Sequence, residues 1–125
     1  MPSSRSRLGD LGERLARQRL RSLGCRILDT NYRCQWGEVD VVAMHKDTII
    51  FVEVKTRRTS TYGPPEESIT PAKAQRLIAA AETYLDEHHS SNQHWRIDLI
   101  CVEMDRTGRL LPLRHLENAV ERPHP

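Results

Sequence analysis

The chain has 125 residues, of which 38% are hydrophobic and 29% charged. That is chain for one domain with a modest core, not for two. The formal net charge of +2 excludes an acidic disordered tail and a histone-like polycation.

Two asymmetries lie beneath that balance. Sixteen of the nineteen basic residues are Arg, and the only lysines are Lys46, Lys55 and Lys73. Residues 1–36 carry five more basic than acidic groups, whereas residues 37–125 carry three more acidic than basic. Apolar runs such as Val41-Val42-Ala43-Met44 and Ile49-Ile50-Phe51-Val52 are too short to cross a bilayer, so no membrane partner is expected. The first residues hold Ser and Arg without an apolar stretch, which speaks against a signal peptide. Cys25, Cys34 and Cys101 are odd in number and lack CxxC spacing. Reduced thiols in a cytoplasmic setting are expected, rather than disulfides or a zinc site.

In chain order, residues 1–7 read as a flexible basic start, residues 8–119 as one domain and residues 120–125 as a tail. Leu8, Leu11, Leu15, Ala16, Leu20 and Leu23 fall on one half of a helical wheel, and Gly24 is a natural stop. Arg14, Arg17 and Arg21 fall opposite. Glu13 lies at the edge of the apolar arc, and Arg19 falls inside it without explanation. Cys25 to Asp29 is a short strand, followed by Asn31-Tyr32-Arg33 and a turn at Gln35-Trp36-Gly37. Glu38 to Met44 and Thr48 to Thr56 are β-branched strands joined by a tight connection, His45-Lys46-Asp47. Arg57 to Glu67 reads as a mobile polar loop around Gly63-Pro64-Pro65. Thr70-Pro71 is an N-cap with Pro at the first helical position, opening a helix to Glu87. Trp95 to Val102 is a strand, Asp105 to Gly108 a turn, and Leu110 to Leu116 a final strand. The order α-β-β-β-α-β-β predicts an α/β fold, a mixed central sheet flanked by helices.

Alternation along the strands places Glu38 with Asp40, and Glu53 with Lys55 and Phe51. If the two strands pair as a hairpin, Asp40, Glu53 and Lys55 converge on one side of the sheet. A strand as apolar as Ile49 to Val54 is expected to be central, where an uncompensated charge costs several kcal/mol. One reading is a Glu–Lys pair on a solvated face, worth about 0–1 kcal/mol. The other is a site. Close carboxylates repel unless a cation neutralises them, and a few hard oxygen ligands suit Mg²⁺ or Mn²⁺. A cation so held acidifies water into a nucleophile, and Lys55 can orient it or offset charge on a phosphorus centre. The set suits phosphodiester hydrolysis and not acyl transfer, since no Ser or Cys stands beside a base.

Asp40 followed by Glu53-Val54-Lys55, on this order of elements, resembles the PD-(D/E)xK nuclease signature. The wider pattern is more specific. It runs through Gly12-Glu13, Asn31-Tyr32-Arg33, Gly37-Glu38-Val39-Asp40, Phe51-Val52-Glu53-Val54-Lys55-Thr56-Arg57, Gly63, Lys73-Ala74-Gln75-Arg76-Leu77, Ala80-Ala81, Tyr84-Leu85, Arg96-Ile97-Asp98 and His115-Leu116-Glu117-Asn118-Ala119. It resembles the YraN-type family of small bacterial proteins, a group of predicted endonucleases distantly similar to archaeal Holliday-junction resolvases. The resemblance covers residues 8–119 and implies a restriction-endonuclease-like αβββαβ core. By that resemblance Asp40 and Glu53 match metal-binding carboxylates, Lys55 the catalytic lysine, and Glu13 a first-helix acid that helps hold the metal. Val39 stands where the signature has proline, a common departure. Glu38 reads as an outer acid behind the metal carboxylates.

Other side chains have weaker claims. Lys73 and Arg76 begin the second helix, where a helix N-terminus favours phosphate, and Gln75 beside them would support the site. Arg57 and Arg58 lead into the Gly/Pro loop and would hold a phosphate. Arg14, Arg17 and Arg21 form a stripe suited to phosphates, or a solvated face. The histidines show no metal-ligand spacing, and Asp98 reads as structural, paired with an Arg. Tyr32 and Trp36 read as packing or hairpin residues.

The leading expectation is a divalent-metal-dependent endonuclease acting on DNA, branched or structured DNA included, in repair or recombination. It would use Mg²⁺ or Mn²⁺ and no small-molecule cofactor. Cutting two strands would favour a homodimer. The alternatives are a non-catalytic nucleic-acid-binding module on the same fold, and an adaptor in a larger complex.

Overall fold

The computed structural model describes residues 4–58 and 64–121. The expected basic start, the centre of the Gly/Pro loop and the end of the expected tail lie wholly or partly outside them. The elements are α1 (Ser4–Ser22), β1 (Arg26–Cys34), β2 (Gly37–His45), β3 (Thr48–Arg58), α2 (Pro71–Glu87), β4 (His94–Met104) and β5 (Arg114–Leu116). A short 3-10 turn, Pro65–Ser68, precedes α2. The five strands form one sheet in the order β1-β2-β3-β4-β5. The β1/β2, β2/β3 and β4/β5 pairs are antiparallel, while β3 and β4 are parallel. Tight turns permit the first two antiparallel pairs. A parallel pair needs a crossover, and α2 supplies it.

The strand alternation divides the core in two. Phe51, Ile49, Val42 and Ile97 pack under α2 against Leu77, Ala80, Ala81, Tyr84 and Leu85. Val41, Ala43, Ile50, Val52 and Ile100 pack under α1 against Ala16 and Leu20. Leu20 is wholly buried, which contributes about 2 kcal/mol. The sheet is thus covered on both faces, and β3 at its centre is shielded from water over Ile49 to Glu53. Three acids are nevertheless buried within it: Glu53, Asp98 and Glu103.

Several boundaries differ from the sequence reading. Helix α1 begins at Ser4, a turn before the apolar periodicity. Its buried stripe is Gly12, Ala16 and Leu20, four residues apart, and Arg19 is simply exposed. Gly12 allows the close approach of helix to sheet. A Cβ there would collide with Thr56 Oγ1 and lie 3.0 Å from Thr56 Cγ2. Strand β1 is continuous through a bulge between Ile27 and Asp29. Strand β5 is short, with only an isolated bridge between Met104 and Leu110 before it. Pro112 lies between them and has no N–H for a ladder. The start of α2 is as read: Thr70 accepts from Lys73 N at 3.2 Å, and Pro71 is the first helical residue. Val120 is buried among the α2-side residues.

Candidate metal and phosphodiester site

The site forms where two strands part. The β2–β3 ladder runs from His45 opposite Thr48 to Val41 opposite Val52, and stops. Strand β2 stays with β1 as far as Gly37 opposite Cys34. Asp40 sits in the fork, and its Oδ2 accepts a 2.7 Å hydrogen bond from Val54 N. The carboxylate thus replaces the backbone carbonyl that the ladder no longer supplies.

Alternation slips at this point. Val39 and Val42 belong to the α2-side core, while Val41 and Ala43 belong to the α1 side. The expectation that Glu38 and Asp40 share a face therefore does not hold. Asn31 of β1 stands opposite Asp40, between Thr30 opposite Val41 and Tyr32 opposite Val39. Its φ of 53° lies in the left-handed region, which Asn tolerates better than most residues. Asp40 reaches Val54 of β3, while Glu38 lies beside Glu13 of α1.

Asp40 meets Glu53 from β3. Burial, the hydrogen bond to Glu53 and its negative charge push the Asp40 carboxyl up to about 8, against a downward pull from Val54 N–H. The two carboxylates therefore burden each other at close range. Glu13 of α1 adds repulsion at Asp40 from the other side of the fork. Its own carboxyl is raised, by burial first and then by Glu38. With the Asn31 amide turned so that its nitrogen faces the two acids, it donates at 2.9 Å to both Glu13 and Glu38. Glu38 also pairs with exposed Arg33 at 3.6 Å.

The cation that reaches Glu53 is Lys73, from the first turn of α2, rather than Lys55. It contacts Glu53 Oε2, a buried oxygen without a well-directed hydrogen bond. Lys55 shares the Glu53 face by alternation, is half-buried, and makes no ion pair among the described residues.

The arginines divide. Arg57 is largely buried and binds Glu103 Oε2 at 3.0 Å, with Arg114 on the other oxygen. Arg58 and Arg76 are exposed, as are Gln75 and Arg14. Arg17 and Arg21 line a cleft of about 500 Å³ with Asp10, Glu13, Ile27, Thr30 and Asn31, between α1 and β1. Of the acids around the fork, Glu13 lines this cleft.

The two other buried acids show what a purely structural carboxylate looks like here. Asp98 accepts from Arg96 Nε at 2.9 Å, from Asn118 N at 2.9 Å and from His115 Nε2 at 2.8 Å. Burial raises its pKa, yet those donors hold it below the ordinary value. Glu103 is likewise held low, as Arg114 and Arg57 outweigh burial. The expected Asp98–Arg pair is therefore present. Asp40 and Glu53 have one ammonium between them.

Among the described residues no three His, Cys, Asp or Glu side chains converge to enclose a metal ion, at the fork or among the histidines. The donor set nevertheless fits one kind of cation. Mg²⁺ and Mn²⁺ take one or two carboxylates and fill their remaining positions with water and phosphate oxygens. The undercompensated Asp40–Glu53 pair, with Glu13 near, is such a set. Sequence reasoning missed the Asn31 bridge and the Arg57–Glu103–Arg114 network. Glu103 carried the same signal as Glu53, a carboxylate in an apolar strand.

Residues 12–102 match the family model described as uncharacterised protein family UPF0102. The chain belongs to this family. UPF0102 proteins from Pelotomaculum thermopropionicum and Roseiflexus castenholzii are 43% and 41% identical to it, over 95% and 97% of this chain and 99% and 98% of their own lengths. One from Dehalococcoides mccartyi is 37% identical over 96% of the chain and 98% of its own. The matched UPF0102 segment contains Glu13, Asp40, Glu53, Lys55 and Lys73. Membership agrees with the PD-(D/E)xK-like assignment, and the fold is nuclease-like. No helix among the described residues is long and apolar enough to cross a membrane.

Proposed function

We propose that this UPF0102 protein is a divalent-metal-dependent endonuclease that hydrolyses DNA phosphodiester bonds, with branched or structured DNA among its substrates. The observation that carries this reading is the contrast among buried acids. Asp98 and Glu103 are matched by fixed donors that hold their pKa low, whereas burial and the neighbouring Glu53 push Asp40 up to about 8. Two acids left to repel each other cost stability, and a hard cation removes that cost.

In this reading Asp40 and Glu53 hold Mg²⁺ or Mn²⁺, and Glu13 assists. The cation, when bound, supplies Lewis-acid stabilisation of charge on phosphodiester oxygens. The Val54 N–H fixes the Asp40 carboxylate, so its direction does not depend on side-chain rotation. Lys55 stands beside Glu53 with its ammonium unpaired, suited to orient water or to meet developing negative charge. Arg17 and Arg21 line a cleft with Glu13, Arg14 lies on the same helix, and Arg58 and Arg76 offer exposed charge for backbone phosphates. Arg57 supports the end of β3 through Glu103.

The test is cleavage of plasmid, single-stranded and four-way-junction DNA with Mg²⁺ or Mn²⁺. Cutting that a chelator abolishes, and that folded Lys55→Ala loses by at least about a hundredfold, is expected. Folded wild-type protein that cuts none of these substrates with either metal refutes the enzyme reading. One observation favours a second reading, a nucleic-acid-binding module without cleavage: among the described residues no third acid closes with Asp40 and Glu53 into a metal-enclosing group. That reading predicts salt-sensitive binding with no product.

A further inference from the structure

We propose that Lys73 is a built-in competitor of the divalent cation: its ammonium holds Glu53 Oε2 in the metal-free protein and must leave that oxygen for the metal to bind. The inference rests on the metal reading above and adds a role for one residue.

Its position is electrostatically costly in the metal-free protein. Lys73 lies in the first turn of α2, two residues after Pro71, and that turn contains no acid. A positive charge there opposes the helix dipole. Contact with Glu53 offsets that cost. The contact is also of a different kind from those made by the other buried acids. Asp98 is held partly by a backbone N–H, and Glu103 by two guanidinium groups. Glu53 Oε2 is held by a flexible ammonium whose side chain remains 36% exposed. A lysine stem loses considerable rotamer freedom when pinned, and regains it on release.

Glu53 Oε2 cannot carry the ammonium and coordinate a divalent cation at once, because the two positive charges would be in contact. Lys73 therefore lowers metal affinity while protecting the fork when metal is absent. Once displaced, it swings from the helix start, on the same first turns as Arg76, and is available to an anion. Metal binding should thus raise affinity for a polyanion, and the polyanion should raise affinity for metal by the same factor.

Calorimetric titration with Mn²⁺ of wild type, Lys73→Met and Lys73→Gln tests this, with folding checked by circular dichroism. Lys46→Met makes the same charge change at the opposite end of β2 and β3. Mn²⁺ should bind the Lys73 variants about tenfold more tightly, within the range usual for coupled groups, and Lys46→Met as wild type does. In chelator the Lys73 variants should melt lower than wild type, and Mn²⁺ should raise their midpoints more. Two variants make it improbable that both are lost to misfolding. Equal or weaker Mn²⁺ affinity in either folded Lys73 variant overturns the inference and leaves the metal reading standing. So does equal tightening in Lys46→Met. Wild type that binds no Mn²⁺ overturns the metal reading and the inference together.

Discussion

Asp40 is the residue whose chemistry is most displaced by its surroundings. Its carboxyl ordinarily loses its proton at 3.8, and in the fold at about 8. The folded form thus binds the proton more tightly than the unfolded chain does. This group's stabilising protonation is complete below pH 3.8 and is lost as pH rises to about 8. Thermal scans in chelator should accordingly show a midpoint that declines across that window. Asp40→Asn removes the repulsion with Glu53, keeps an oxygen for Val54 N–H, and should flatten the decline. At pH 8 it should raise the metal-free midpoint by about 5 °C. The same variant should lose Mn²⁺ binding by calorimetry. A variant that melts no higher in chelator would mean that the two carboxylates do not burden each other. Asp40, Glu53 and Lys55 were legible in the sequence because charge in an apolar strand breaks a local rule. That rule also flags Glu103 and Asp98, so it finds buried charge without saying what compensates it.

At the scale of elements, the decisive contact is between α1 and β3. Helix α1 touches the strand at Gly12, one residue before Glu13, and Thr56 fills the space a side chain would need. Gly12→Ala should push the helix outward and cost about 1–3 kcal/mol, the usual range for overpacking. It should also weaken Mn²⁺ binding if Glu13 takes part. Thr56→Ala in the same chain removes the two closest atoms and should recover most of the loss, read from urea midpoints. Glycine at position 12 is visible in the sequence, but its reason is not, since Thr56 lies 44 positions away. Helix α2 was readable almost to the residue. Thr70, Pro71 and the 3.6-residue periodicity are local signals, and local signals do not depend on a partner. Strand β5 was overextended in the reading because apolar Leu110 to Leu113 looked strand-like. One proline without an N–H outweighs that pattern.

At the scale of the whole molecule, Asp98 joins β4, β5 and the segment after it through Arg96, His115 and Asn118. Its carboxylate is wholly buried, so removing it strands the buried His115 ring and a backbone N–H. Asp98→Ala should destabilise the protein by about 3–5 kcal/mol in urea denaturation. Mn²⁺ affinity of the fraction that remains folded should be unchanged, because this network is separate from the fork. A loss of metal binding without a loss of stability would assign Asp98 to the site instead. The charge asymmetry of the chain also acquires a location. The basic front supplies α1, whose Arg17 and Arg21 line the cleft, and the acidic remainder supplies Asp40 and Glu53 in the sheet. Glu13 links the two, since it lines the cleft and repels Asp40.

The sequence by itself determined the elements, their order, the two-faced sheet and the short set of charged residues that such a sheet does not normally bury. These follow from periodicity, capping and turn chemistry, which act over a few residues. Only the tertiary structure decided which charge meets which. Glu53 pairs with Lys73 across the chain rather than with Lys55 two residues away, and Arg57 turns to Glu103. Asp40 enters the fork where the β2–β3 ladder stops, opposite Asn31 of another strand. Such pairings depend on distances set by packing between elements, and no pattern along the chain encodes them.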